Sequence, residues 1–193
     1  MGAEYELKYR ADAECLESVF TTFPARWQTI HMETTYYDTL RGALSARKYM
    51  LRCRQENDKR VCTLKTPGEN NVRGEWEVEC DAITDAIPEL CKLGAPEELE
   101  SLCKFGVIPV CGARFTSKAG TFTLRECVLE IALDQGVLFG NGKEIPLCEL
   151  EVELKSGSRE AADAFAAQLA DIYGLQPEEK SKFARALALC KEG

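Results

Sequence analysis

Polar and apolar residues alternate strictly over several short stretches of this chain, and the polar half of the alternation is made of charges. Glu4-Tyr5-Glu6-Leu7-Lys8 sets two acids and a base at every second position. Successive side chains of a β-strand point to opposite faces, so Glu4, Glu6 and Lys8 share one face while Tyr5, Leu7 and Tyr9 share the other. The pattern returns in Arg73-Gly74-Glu75-Trp76-Glu77-Val78-Glu79 and in Cys148-Glu149-Leu150-Glu151-Val152-Glu153-Leu154-Lys155. Other strands carry bases: Arg52 and Arg54 face away from Leu51 and Cys53, and Thr63 goes with Lys65. Arg114, Thr116 and Lys118 have common parity, as do Glu130, Ala132 and Asp134.

Between these stretches the period changes. Residues 11–20 and 158–174 space their apolar positions as helices do; Ser158 is placed to cap the second, and Gly174 to end it. Residues 82–105 read as two short helices with breaks at Pro88 and Pro96, and a final helix is predicted from Pro177 to about Cys190, with Lys182 and Arg185 on one face. The aromatic run Thr34–Thr39 reads as a strand. The segment after residue 107 reads as strands interrupted by turns at Ala119-Gly120 and at Gly140-Asn141-Gly142. The expected domain organisation is a single unit over residues 1–193, with a helical insertion at about 82–105 and C-terminal helices at about 158–191.

At least six strands have a charged alternating face, with acids on some and bases on others. A solvated outer face explains any one of them. All of them together point to an eight-stranded antiparallel β-barrel whose lumen is polar, since eight strands leave an interior just wide enough for side chains or one small ligand. So many enclosed charges must compensate one another or a ligand. A hard divalent cation answers the carboxylates, and a chain of phosphates answers arginine forks and lysine point charges.

Composition narrows the reading. Of 193 residues, 45% are hydrophobic and 29% charged, the balance of a globular protein long enough for a real core. The net charge of −8 argues against a nucleic-acid polymer as partner without excluding a small polyanion in an oppositely charged pocket. No apolar run suggests a membrane span or a signal peptide, so a cytoplasmic location is expected. The ten cysteines include no C-x-x-C pair and are expected to be reduced. The one histidine, His31, has no evident partners, which leaves a zinc site or a histidine-assisted nucleophile poorly supplied.

Taken in order, Glu4-x-Glu6-x-Lys8, Tyr36-Tyr37-Asp38-Thr39, Leu51-Arg52-Cys53-Arg54, Thr63-Leu64-Lys65, Arg73-Gly74-Glu75-Trp76-Glu77, Glu130 to Gly136, Cys148 to Glu153 and Ser181-Lys182-x-x-Arg185 resemble the CYTH superfamily, the triphosphate tunnel metalloenzymes, and most of all its bacterial inorganic triphosphatases. The resemblance implies an α+β fold, an eight-stranded tunnel flanked by helices, and hydrolysis of inorganic triphosphate to pyrophosphate and phosphate with Mg²⁺ or Mn²⁺. By the same resemblance Glu4, Glu6, Asp134, Glu149 and Glu151 would hold metal, with Glu151/Glu153 as the alternative pair on the last strand. Lys8, Arg52, Arg54, Lys65, Arg73, Arg114, Lys182 and Arg185 would bind phosphates. Glu75, Glu77 and Asp134 would serve a second metal or orient water. Adenylyl cyclase and thiamine triphosphatase activities belong to the same superfamily, and a polyphosphate-binding module without turnover is the non-enzymatic alternative.

Overall fold

The alternating stretches become strands that meet edge to edge. A computed structural model describes residues 2–68, 72–125 and 127–191, the side chains of 2–4, 72 and 73 excepted. The chain runs β1 (Gly2–Arg10), α1 (Ala13–Thr22), β2 (Arg26–Asp38), α2 (Ala43–Ala46), β3 (Met50–Glu56), β4 (Lys59–Thr66) and β5 (Val72–Glu79). It continues through α3 (Ile83–Lys92), α4 (Glu98–Cys103), β6 (Ile108–Leu124), β7 (Cys127–Gly140), β8 (Lys143–Ser156), α5 (Arg159–Tyr173), β9 (Gln176–Pro177) and α6 (Lys182–Leu189). Among the described residues the strands form one sheet in the order β5-β4-β3-β2-β6-β7-β8-β1-β9. β1 also pairs antiparallel with β5, from Gly2 opposite Glu75 to Tyr5 opposite Val72, and this joins eight strands into a barrel. The two-residue β9 adds a ninth strand beside Tyr9 and Arg10.

The hydrophobic core lies outside the barrel wall, between strands and helices. Leu51, Cys53, Cys62, Leu64 and Trp76 face α3 and α4, where Ile83, Ala86, Ile87, Leu90 and Leu99 are buried against them. Tyr9, Ile131, Leu133, Leu150 and Val152 pack under α1 and α5. Burying a leucine or isoleucine here contributes about 1.5–3 kcal/mol each, and it commits the opposite, charged parity of each strand to the lumen. The third cluster differs: α6 lays Ala186 and Phe183 against Tyr36, Phe115 and Leu138 and caps one end of the barrel. No helix of the described residues is long and apolar enough to cross a membrane.

Several expectations are corrected. Ala119-Gly120 is not a turn: β6 runs unbroken for 17 residues. A Cβ on Gly120 would lie 2.7 Å from the Ala25 Cβ, just before β2, so the glycine answers a close approach of the neighbouring segment rather than a bend. Gly136 likewise sits inside β7, where a Cβ would meet the Arg114 carbonyl oxygen at 2.1 Å. Pro88 lies inside α3, whose apolar stripe outweighs the lost backbone hydrogen bond. The final helix starts at Lys182, capped by Ser181, and not at Pro177. All ten cysteines are free thiols.

Candidate functional site

The lumen is a cavity of about 620 Å³ with an acidic wall and a basic wall. Register builds the acidic wall row by row across β1, β8 and β7. Glu6 stands opposite Glu153, and Glu153 opposite Glu130. One step deeper Lys8 faces Glu151, and beyond that Glu149 is flanked by Arg10 and Asp134. Like charges directly opposite on neighbouring strands are destabilising, so this row calls for cations. Lys155 supplies one at its edge, 3.2 Å from Glu130 and 2.7 Å from Glu153, and Lys8 lies 3.3 Å from Glu6.

The basic wall stands on β3 and β4, where Arg52, Arg54 and Lys65 line the cavity. Glu75 on β5 lies 3.3 Å from Lys65 and 3.9 Å from Arg52, and the Thr63 hydroxyl donates to Glu77 at 3.2 Å. Arg54 bonds Glu56 through Nε at 2.6 Å. Burial, and then the neighbouring Arg52 guanidinium, pull the Arg54 pKa down. Two enclosed guanidiniums in repulsion make a wall suited to an anion.

At the capped end, α6 delivers Lys182 into the acids. Its ammonium lies 2.7 Å from both Asp134 and Glu151 and also pairs with Glu149, and all three carboxylates offer oxygens within 4.8 Å of one another. Burial pushes Asp134 up and Glu149 up to about 7. Burial also opposes ionisation of Glu151, but Lys182 and a hydrogen bond from Glu149 outweigh it and hold Glu151 low, at about 2. Arg185 pins the other oxygen of the fully buried Glu149.

Most of the sequence-derived set therefore converges: Glu6, Lys8, Arg52, Arg54, Lys65, Glu75, Glu77, Asp134, Glu151 and Lys182 line one cavity. Glu149 and Arg185 stand behind it, held by each other. The side chains of Glu4 and Arg73 lie outside the described residues; their backbones pair with one another across β1 and β5. Arg114 is a correction. Phe115, Ser117, Ala119 and Thr121 are the β6 residues at the cavity. Arg114 points outward, bonded to Glu144 at 2.6 Å and stacked 5.4 Å from the Phe139 ring. Lys118 turns the same way, 3.1 Å from Glu17. The outer face of β6 carries charges as well, so charge parity alone picks the wrong side. Arg114→Ala is expected to leave phosphate-releasing turnover unchanged and stability within about 0.5 kcal/mol, as for other exposed pairs; a steady-state assay and a urea melt check both.

Sequence reasoning missed Glu178 and Arg10. Glu178 is buried, accepts from Arg10 at 2.8 Å and from the Lys180 N–H at 2.9 Å, and lies 3.7 Å from Arg185. It thus buttresses the guanidinium that holds Glu149. Burial raises its pKa, yet the Arg10 and Lys180 bonds outweigh burial and leave it below 4.5. A depressed carboxylate contributes stability above its unfolded pKa and loses it as pH falls through the folded one. Glu178→Gln is accordingly expected to cost about 1–3 kcal/mol at pH 7, and less once the pH falls below the ordinary carboxylate value; denaturant melts at two pH values measure the difference. Arg26 and Gln28, also at the cavity, escaped because Ile30 and Met32 interrupt the polar parity of β2.

A profile described as CYTH domain matches residues 2–187. The chain belongs to the CYTH family. This CYTH domain is 29% identical over 133 residues to an inorganic triphosphatase of Haemophilus influenzae, an alignment that covers 68% of the chain and 38% of that relative's length. Among solved structures it resembles an adenylyl cyclase candidate from Hippeastrum described as having a dominant triphosphatase activity (TM-score 0.68, 17% identity, 97% of this chain and 96% of that one). It also resembles the PH1819 protein of Pyrococcus horikoshii (TM-score 0.64, 22% identity, 96% and 98%). At these identities the solved structures establish the fold of the CYTH domain.

The carboxylates of this CYTH domain fit a divalent cation. Their donors are all hard oxygens, and Glu6, Glu153 and Glu130 repel one another across adjacent strands. Glu6, Glu151 and Glu153 line the cavity, each beside a lysine (Lys8, Lys182 and Lys155), whereas Glu149 stands behind it and is held by Arg185 as well as Lys182.

Proposed function

We propose that this CYTH domain hydrolyses inorganic triphosphate to pyrophosphate and phosphate with Mg²⁺ or Mn²⁺. The observation that carries the reading is the opposition of an acidic and a basic wall across one cavity of about 620 Å³. The similarity to the Haemophilus influenzae inorganic triphosphatase supports the same substrate. Arg52, Arg54 and Lys65 grip the phosphate chain, and Lys8 meets it from the acidic side. Glu6, Glu151 and Glu153, with Glu4 two residues before Glu6 in sequence, would hold the metal. When bound, the metal neutralises phosphate charge and lowers the pKa of a coordinated water. Glu77, steadied by the Thr63 hydroxyl, orients the attacking water. Water adds to the terminal phosphorus as its bond to the bridging oxygen breaks, and the basic wall takes the charge left on pyrophosphate.

The test offers triphosphate, ATP and thiamine triphosphate, each with Mg²⁺ or Mn²⁺, and identifies products. Phosphate released from triphosphate far faster than from ATP is the expected result. Cyclic AMP and pyrophosphate from ATP overturn it in favour of a cyclase, and binding without turnover of any substrate reduces the domain to a polyphosphate-binding module. Of the aromatic side chains that could stack on a nucleobase, Tyr37 and Trp76 pack in the outer core and Tyr36, at the cavity wall, is buried against the Phe183 ring, which favours the inorganic substrate.

A further inference from the structure

We propose that Cys53 and Cys62 form a peroxide-sensitive dithiol on the outer face of β3 and β4 that closes to a disulfide and re-aims the basic wall of the tunnel. The two cysteines are direct partners across the β3–β4 hairpin, whose register begins at Glu56 opposite Lys59. With a two-residue connection, Glu56 and Lys59 form a hydrogen-bonded pair, and such pairs alternate with non-hydrogen-bonded ones. Counting back, Arg54/Val61 is hydrogen-bonded and Cys53/Cys62 is not. In that class of pair the Cα atoms stand about 4.5 Å apart and the side chains approach most closely. This falls inside the Cα range of about 4.4–6.8 Å that a disulfide spans, so the bridge forms with small movement of the backbone.

The surroundings assign the two sulfurs different parts. Cys53 keeps 9% exposure while Cys62 has none, so a small oxidant reaches Cys53 first. The Cys62 thiol lies 3.5 Å from the Cys80 carbonyl oxygen. Burial opposes ionisation of both thiols, and the Arg60 guanidinium favours the thiolate of each. The nucleophile is thus Cys53, the thiol that an oxidant reaches, and Cys62, its S–H turned to the Cys80 carbonyl, is the resolving thiol; thiolate character with access is what selects a reactive cysteine. With a hydroperoxide as oxidant, the Cys53 thiolate attacks one peroxide oxygen. The O–O bond breaks, the distal oxygen leaves as hydroxide, and Cys53 becomes a sulfenic acid. The Cys62 sulfur then forms the S–S bond, and the sulfenic oxygen departs as water with the Cys62 proton. Two thiols are oxidised by two electrons and one peroxide is reduced.

The consequence for the tunnel follows from parity. Arg52 and Arg54 flank Cys53, Thr63 flanks Cys62, and all three point the other way, Arg52 and Arg54 onto the cavity. Drawing the strands together at one rung twists the hairpin and moves the tips of long side chains on its far face. The thiol chemistry stands apart from the proposed activity; only its effect on turnover rests on that reading.

The experiment titrates the reduced full chain with hydrogen peroxide, maps linked peptides by non-reducing mass spectrometry, and assays triphosphate hydrolysis on the same samples. The expected result is that the Cys53 and Cys62 peptides link first, with loss of two hydrogen atoms. Turnover then falls about tenfold, as for a small misplacement of binding groups, and dithiothreitol restores it. Cys62→Ser should trap a dimedone-reactive sulfenic acid on Cys53, and activity of Cys53→Ser should resist peroxide. Wild-type mapping needs no variant to fold. Survival of the Cys53/Cys62 dithiol while other thiols oxidise overturns the proposal. A disulfide formed with turnover unchanged overturns its coupling to the tunnel, and a protein without triphosphatase activity that still links these two residues keeps the thiol pair and rejects the reading of the site.

Discussion

Glu6→Gln is expected to lower metal-dependent phosphate release from triphosphate by about 10³-fold, the scale of removing one group that stabilises transition-state charge, while the melting temperature holds or rises. The substitution keeps the shape of the side chain and removes its charge. In the fold that charge faces Glu153 across the β1–β8 ladder and lies 3.3 Å from Lys8. Losing it relieves repulsion with Glu153 and frees Lys8, so no large penalty to folding follows. Metal affinity should weaken in parallel, which a titration of rate against Mg²⁺ separates from a defect in substrate binding. Raising Mg²⁺ should recover part of the loss. A variant with full turnover at low Mg²⁺ would place the metal away from this row.

Lys182→Met is expected to destabilise the protein by about 3 kcal/mol, because removing one partner of a buried ion cluster leaves the others uncompensated. For a chain of this size that corresponds to a melting-temperature drop of roughly 6–12 °C. Three carboxylates converge on the Lys182 ammonium, of which Asp134 and Glu149 are fully buried. Burial already raises Asp134 and Glu149, and without the ammonium they rise further. Carboxyls with raised folded pKa values favour the fold at low pH and lose that contribution as pH rises through the folded value. The deficit of the variant should therefore shrink from pH 7 toward pH 4.5. Added Mg²⁺ should stabilise Lys182→Met more than the wild type, since a divalent ion can take the place of the ammonium. Urea melts at two pH values, with and without Mg²⁺, measure all of this; equal stability of variant and wild type at pH 7 would mean that the three acids are neutral without Lys182.

The faces of β1, β3, β4, β5, β7 and β8 could be read from sequence because each carries charges on one parity and core residues on the other. Leu51 and Cys53 oppose Arg52 and Arg54, and Leu150 and Val152 oppose Glu149 and Glu151; only one arrangement buries the first set. β6 failed because Arg114 and Lys118 find partners outside, in Glu144 and Glu17, while the lumen side of that strand is small or aromatic. The first half of β2 failed for the converse reason, with Ile30 and Met32 turned into a charged cavity. The place of Lys182 among three acids, and of Glu178 behind Arg185, depends on how α6 and the turn before it dock. No local period records that contact.

The closure of the barrel has a kinetic consequence. β1 must find β8 and β5, so Glu6 meets Glu153 only when segments from opposite ends of the described chain come together. Closing such a long loop is unfavourable until the pairing forms, and topologies rich in distant contacts fold slowly. The acidic row repels until it is complete and neutralised, whereas the hairpin that carries Arg52 and Arg54 is local and can form early. Competence to bind a metal should therefore appear in the last phase of refolding, after the basic wall is already in place.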